Sequence, residues 1–375
     1  MNNCHPDKSI STKATIDVAN QHTIKKFELI EEYVKAWAQK LLNYQGCDGV
    51  VFIDCMCNSG IYQDGHGSEI FGTPIRVANY LSNIMQSYPD KNARLIFNDC
   101  DAKKISILQT HLPANTTNFN IVTNVGDGND LLKKMDIPKR SRVNYLLIYD
   151  PYTASIDWEA LMPFLQNWGE IIINHMVSDS VRGIPQACRD TAVEKYEQTY
   201  LTTIQELTAF GSDKATYEAR IQEIITFLRG KKDSQYYIAS FPFFRGHKNE
   251  LVYHLLHCTG NIKGFKLFKQ TAWKIFGGKS SSKNTRGTEK QTVLDFDGIG
   301  TLRTSTDEHC YYVKDIAEYL SDTFAGQANV PLNRVWETLD KHPVFPSDGF
   351  KTEIRNELRD NYKCEVSRQD ITFAK

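Results

Sequence analysis

No stretch of this sequence approaches the roughly 18 consecutive apolar residues that a membrane span requires, so no membrane association is expected. Met1 to Ala14 is polar and holds no apolar core of a secretory leader. The nine cysteines are odd in number and irregularly spaced, which argues against a disulfide framework; free thiols in a reducing, cytoplasmic compartment are expected. Net charge is also missing. With 44 basic side chains against 45 acidic ones the balance is -1, so any nucleic-acid contact must come from a local basic patch. No internal repeat of solenoid period is present. What remains is an average globular make-up, 375 residues with 41% hydrophobic and 24% charged, which excludes disordered, collagen-like and disulfide-scaffold chains. The length predicts two or three domains.

Hydrophobic periodicity gives the organisation. Asp17 reads as a helix N-cap, and Ile24, Phe27, Ile30, Tyr33, Val34, Trp37 and Leu41 follow at helical spacing. Val50-Val51-Phe52-Ile53-Asp54 is then a short apolar run ending in a carboxylate. Four more runs follow, at 94–99, 120–123, 145–150 and 170–174. Helical segments separate them, including Pro74 to Met85, Lys103 to His111 and Trp158 to Trp168. Continuous apolar strands alternating with helices predict a parallel sheet covered on both faces. Residues 185–232 carry helical spacing in a polar background and read as a helical insertion. Residues 236–244 and 251–258 read as an antiparallel hairpin at the sheet edge. A linker rich in Gly, Ser and Lys spans 277–286, and three short helices with a terminal strand pair follow, the pattern of a winged helix.

The carboxylates at strand ends carry the chemistry. Ligands of open α/β sheets bind beyond the carboxyl ends of the strands, near the point where strand order reverses. Asp54 opens Asp54-Cys55-Met56-Cys57-Asn58-Ser59-Gly60. Asp99 and Asp101 close the second run, where an acid can accept both hydroxyls of a ribose, Gly126-Asp127 follows the third, and Asp150-Pro151-Tyr152 follows the fourth. Singly, each is a common helix cap or turn residue. Their ordered recurrence points to a nucleotide-like ligand.

In these residues the sequence resembles the three-Cys-motif partner proteins (TcmP), a family with the class I S-adenosylmethionine-dependent methyltransferase fold. The matches run through most of 17–276: His22, Tyr33 and Trp37 in the first helix, Phe52-Ile53-Asp54 to Gly60-Ile61-Tyr62, and Gly72-Thr73-Pro74. They continue through Phe97-Asn98-Asp99-Cys100-Asp101, Gly126-Asp127 and Leu147-Ile148-Tyr149-Asp150-Pro151-Tyr152, with Phe210-Gly211 and Tyr217 in the insertion. The resemblance implies S-adenosylmethionine as cofactor. Asp54 and the backbone around Asn58, Ser59 and Gly60 would hold its methionine part, Asp99, with Asp101 beside it, the ribose, and Asp127 the adenine amine. Asp150, Pro151 and Tyr152 would face the methyl acceptor, as related turns do in amino-group methyltransferases, where the acid accepts from an exocyclic amine and the aromatic ring stacks on the base. A base in a duplex would first be flipped out. The family name also implies a protein bearing a three-cysteine motif as a partner. Three departures stand out: Asn58 replaces the first loop glycine, the acceptor turn has one proline with Tyr152 a residue early, and Thr153 replaces a glycine.

Other residues read more plainly. Cys55, Cys57 and Cys100 have poor zinc spacing, and no metal site is expected. His254 and His257 point to opposite faces of a strand and read as packing residues. His175 borders the site and reads as either a substrate contact or a structural hydrogen bond. Between Lys263 and Lys290, basic residues interleave with Phe265, Phe268, Trp273 and Phe276, which is either a nucleic-acid groove or a solvated linker with its aromatics in the core. The expectation is therefore an α/β protein: a Rossmann-like class I methyltransferase domain over 1–290 with the insertion at 185–232, and a winged-helix domain over 291–375. Its expected activity is methyl transfer to nucleic acid. The alternatives are a non-catalytic scaffold that partners a three-cysteine-motif protein, and an enzyme that binds another nucleotide.

Overall fold

The computed structural model describes residues 16–137, 142–167, 169–230, 235–245, 250–276 and 311–374. The chain opens with β1 (Asp17–Val18) and the long α1 (Gln21–Leu42), followed by β2 (Gly49–Asp54). A small hairpin, β3 (Ile61–Gln63) and β4 (Glu69–Phe71), precedes α2 (Thr73–Met85). Alternation then sets in: β5 (Asn92–Asp99), α3 (Ala102–Gln109), β6 (Phe119–Val125), α4 (Gly128–Lys134), β7 (Val143–Tyr149), α5 (Trp158–Asn167) and β8 (Glu170–His175). Four helices come next, α6 (Val177–Gly183), α7 (Asp190–Tyr200), α8 (Ile204–Phe210) and α9 (Lys214–Leu228). The edge hairpin β9 (Tyr237–Arg245) and β10 (Glu250–Thr259) completes the sheet, and α10 (Ile262–Ile275) packs back across it.

The main sheet has the order β6-β5-β2-β7-β8-β10-β9. All pairs from β6 to β8 are parallel, whereas β10 runs antiparallel between β8 and β9. This is the expected Rossmann-like α/β arrangement, and its order reverses between β2 and β7. Strand alternation sends Phe52, Leu95, Phe97, Leu146 and Ile148 into one apolar layer with Ile30, Val34 and Trp37 of α1 and Phe268 of α10. Ile53, Leu147, Ile171 and Ile173 enter the other with Leu161 and Phe164 of α5 and Ile221 and Ile225 of α9. Both faces being covered explains why these strands are apolar throughout.

Two boundaries differ from the sequence reading. The inserted helices begin at Val177, ahead of the expected 185. Asp17 caps no helix; it lies in β1, which pairs in parallel with β3, and α1 starts only at Gln21. The turn 246–249 and the linker 277–286 fall outside the described residues, as does the 290/291 division. Within the insertion, Gly211 takes a left-handed φ of 57° to close α8. Tyr217 then donates its hydroxyl to Leu207 O at 3.1 Å and Gly211 O at 3.2 Å, so this motif builds a helical corner.

The C-terminal residues form α11 (Val313–Thr323), β11 (Val330–Pro331), α12 (Leu332–Lys341), α13 (Lys351–Asn361), β12 (Glu365–Val366) and β13 (Asp370–Thr372), with the ribbon ordered β11-β13-β12. They are fastened to α10 by a buried lysine. Lys269 Nζ donates to Leu339 O at 2.9 Å, His342 O at 2.7 Å and Phe345 O at 3.0 Å, satisfying carbonyls that the end of α12 leaves open. Lys266 pairs with Asp340 and Asp348, each at 3.1 Å, and Trp273 Nε1 donates to Val344 O at 2.9 Å. Phe265, Phe268, Trp273 and Phe276 are buried. Of the two readings of this stretch, the aromatics take the core one, and Lys266 and Lys269 face this chain's own C-terminal unit, whereas Lys263 and Lys274 are exposed. Lys279, Lys283, Arg286 and Lys290 of the same stretch lie outside the described residues. Lys269→Met should strand several buried carbonyls, lowering stability by about 2–4 kcal/mol and exposing 311–374 to limited proteolysis first. An unchanged unfolding midpoint would contradict this role.

Candidate functional site

β2, β5, β6 and β7 all point their carboxyl ends at one edge of the sheet, which places Asp54, Asp99, Asp127 and Asp150 together, with Asp54 and Asp150 flanking the reversal of strand order. A cavity of ≈ 180 Å³ lies there, lined among others by Asp99, Cys100, Asp127, Asn129, Pro151 and Tyr152.

The loop after β2 is organised by Asn58. It has a left-handed φ of 59°, a conformation that Asn tolerates better than other side chains, so it performs the backbone task of the missing glycine. Its own carboxamide accepts from Ser59 N at 2.6 Å and donates to Asp17 Oδ2 at 2.8 Å and to the Tyr152 hydroxyl. Lys104 Nζ joins this cluster, 3.2 Å from Asp17 Oδ2. Gly60, with φ 70°, sits behind the loop; a Cβ there would lie 2.7 Å from Leu108 Cδ1 and 2.9 Å from Ile75 Cγ1, so it serves close packing and does not line the cavity.

Asp99 accepts Asn58 N on Oδ2 and Asp101 N on Oδ1, each at 2.9 Å. Each carboxylate oxygen has a second lone pair, so two hydroxyls can still be accepted. Asp127 caps α4 through Asn129 N at 2.8 Å while lining the cavity. Asp101 caps α3 through Lys103 N at 2.8 Å and lies outside the cavity lining. Asp54 is 4% exposed, and burial together with the charge of Asp150 pushes its carboxyl up to about 7, against the opposing pull of Met56 N–H and Lys26.

Asp150 is held from two sides. Lys26 of α1 pairs with its Oδ2, and Asn174 of β8 donates to its Oδ1 at 2.5 Å. The Lys26 ammonium also lies 5.5 Å from the centre of the Tyr253 ring, whose hydroxyl donates to His22 O at 3.0 Å. Burial, then the charges of Lys26 and Arg245, push His22 down to about 4. Tyr152 is 66% exposed beside Asp150, with Lys104 Nζ 5.5 Å from the centre of its ring. His175 does not face the site: fully buried, it bonds Glu218 and Tyr200 at 2.9 Å each. Cys55 and Cys57 are buried, with burial pushing both thiols up, and among the described residues no group of His, Cys, Asp or Glu is arranged to hold a metal ion.

The sequence reading passed over Lys26, Asp17, Lys104 and Asn174. Lys26 had a signal: it sits on the same stripe as His22, Phe27, Ile30 and Tyr33, and lysine on the buried face of a helix needs a partner.

No protein-family model and no curated protein matches this sequence. Solved structures do overlap it. A Legionella pneumophila protein shares 12% identity over 64% of this chain and 85% of its own, with a TM-score of 0.38. The O-methyltransferase TomG from Streptomyces achromogenes, solved with S-adenosylmethionine, shares 14% over 61% and 78%, TM-score 0.31. An rRNA methylase from Streptococcus thermophilus shares 8% over 61% and 92%, TM-score 0.29. Overlaps this loose leave the functional argument to the residues themselves. No helix among the described residues is long and apolar enough to cross a membrane.

Proposed function

We propose that this protein is an S-adenosylmethionine-dependent methyltransferase that modifies an amino group of a nucleic-acid base. The observation that carries it is the set of carboxylates at the switch point: Asp99 with two open lone pairs for a ribose, Asp127 at the far wall of the cavity, and Asp54 buried without a cation of its own. These residues suit the cofactor, since a raised buried carboxylate favours a cationic group beside it. Asp54 and the Asn58 loop would hold the methionine part, Asp99 the ribose and Asp127 the adenine amine. Bound there, the cofactor would supply an activated methyl on a sulfonium. The chain's contribution is orientation: Asp150, paired with Lys26, would accept an N–H of the acceptor, and Tyr152 would offer a ring to the base. The C-terminal unit, with three helices and a small ribbon, has the order of elements of a winged helix, and cytoplasmic residence suits the free thiols.

One observation favours a second reading. Both oxygens of Asp150 are already engaged and the Tyr152 hydroxyl is tied to Asn58, as in a scaffold that partners a three-cysteine-motif protein without catalysis. Calorimetric titration decides first. S-adenosylhomocysteine and S-adenosylmethionine should both bind, and Asp99→Ala should weaken them roughly ten- to a hundredfold, the value of a charge-assisted hydrogen bond. No heat with either ligand would end the methyltransferase reading. Radiolabelled methyl transfer to DNA, RNA or a co-purifying protein then separates enzyme from scaffold.

A further inference from the structure

Among the described residues, the buried side-chain atoms without a hydrogen-bond partner are Asn174 Oδ1, Ser178 Oγ, His257 Nδ1 and Arg355 Nε. Leaving a buried acceptor unmade costs about 1–3 kcal/mol, so each calls for a reason. His257 is stacked on Phe268 at 4.4 Å with its Nε2 on Glu170 at 2.7 Å, which accounts for an idle lone pair on the other nitrogen. Asn174 has no such account. It is 4% exposed, at the carboxyl end of β8, and the parallel register Tyr149↔Ile173 sets it directly beside Asp150.

The orientation of its carboxamide is fixed by chemistry. Asn174 Nδ2 donates to Asp150 Oδ1 at 2.5 Å, and turning the amide over would set its oxygen against a carboxylate that can only accept. The orphan oxygen therefore stands within the width of one carboxamide from Asp150, whose side chain remains 27% open to solvent. A ligand that reaches Asp150 meets two acceptors side by side, with Lys26 already paired to Asp150.

We propose that Asn174 is a specificity-determining residue of the acceptor site, its Oδ1 and the Asp150 carboxylate together accepting the two N–H bonds of a primary amine on a nucleobase. This rests on the methyltransferase reading above. A carbonyl has nothing to donate and a hydroxyl satisfies one acceptor of the two, whereas a primary amine satisfies both. An aliphatic ammonium brings no flat face, whereas the exposed Tyr152 ring supplies one on which a nucleobase can stack. With both hydrogens directed at Asp150 and Asn174, the nitrogen is oriented as orientation-based catalysis requires.

The test uses the full chain saturated with S-adenosylhomocysteine. Adenosine is compared with purine riboside, and cytidine with pyrimidin-2-one riboside, by ligand-observed NMR titration; each pair differs only in the exocyclic amine. The amine-bearing member of at least one pair should bind about tenfold tighter, and Asn174→Leu should bring that ratio close to one. Asn174→Gln, which keeps both a donor for Asp150 and an acceptor, should retain it. A merely structural Asn174 would lower the unfolding midpoint in the leucine variant and leave the ratio intact. An unchanged ratio in Asn174→Leu, equal binding within both pairs, or no nucleoside binding to the loaded protein would each overturn the proposal. Failure to take up S-adenosylhomocysteine at all would instead overturn the reading on which it rests.

Discussion

Replacing Glu218 by alanine is expected to lower the stability of the folded chain by about 3–5 kcal/mol, the usual cost of removing one partner from a buried charged network. Glu218 lies on α9 beneath the sheet, and one direction of hydrogen bonding satisfies every member around it. Ser180 donates to the Tyr200 hydroxyl, Tyr200 to His175 Nε2 at 2.9 Å, and His175 Nδ1 to Glu218 Oε2 at 2.9 Å. On the other side His254 Nδ1 donates to Ser240 Oγ at 2.9 Å and Ser240 to Glu218 Oε1 at 2.7 Å. Glu218 is the acceptor on which both chains end, so its loss leaves two buried donors without a partner and uncouples α9 from β8, β9 and β10. Burial pushes its carboxyl up, but the electrostatic pull of His254 and His175 and the bonds from His175 and Ser240 outweigh burial and hold it at about 2. With the folded value below the usual 4.5, the unfolded chain takes up the proton first. The stabilisation is whole above about pH 4.5 and is lost as pH falls from there towards 2. Urea unfolding at neutral pH checks the magnitude. A midpoint within error of the parent chain would refute it, and Glu218→Gln, which keeps one acceptor oxygen, should fall between the two.

The same cluster shows where sequence pattern stops informing. Apolar runs ending in Asp54, Asp99 and Asp150 could be read as strands because period and run length are local properties. His254 and His257 could be assigned to opposite faces by strand alternation, and they do lie in separate networks, one with Glu218 and the other with Glu170 and Tyr33. That Glu218 meets His175, or that Lys26 meets Asp150 across 124 residues of sequence, depends on how helices lie over a finished sheet. No spacing rule reports that. Asp17 failed for a related reason: an acid before a helical stripe is a sound N-cap signal, but the chain forms two further residues of strand pairing before the helix begins. The basic, aromatic stretch at 263–276 was ambiguous because lysines that cap a neighbouring helix and lysines that meet phosphate look alike until their partners are known. Asn58 is the opposite case, where a departure at a glycine position was harmless because asparagine adopts the same left-handed backbone.

Affinity for a cationic ligand at this site should fall by roughly tenfold per pH unit as pH drops below about 7, and Asp54 is the group that sets the window. In the unliganded protein burial and the charge of Asp150 hold its carboxyl at about 7, well above the ordinary 3.8. The sign is opposite to that of Glu218: between these two values the folded chain keeps a proton that the unfolded chain has released, so Asp54 costs stability as pH rises through the interval. An ammonium or sulfonium placed beside it favours the carboxylate and draws its value down, so binding below pH 7 must expel that proton. The charged neighbours, Asp150, Lys26 and Asp99, are present in both states, and His22, held at about 4, stays neutral over the range. Calorimetric titrations with S-adenosylmethionine in two buffers of different ionisation enthalpy near pH 6.5 should therefore report net proton release. Asp54→Asn has the shape of the protonated acid and cannot titrate. Its affinity should match the parent chain at pH 5.5, fall well short of it at pH 8, and lack the parent's additional dependence between them; any titration of the ligand itself appears equally in both proteins. If parent and variant followed the same pH profile, Asp54 would not face the cation, and the methionine part of the cofactor would have to lie elsewhere along the switch point.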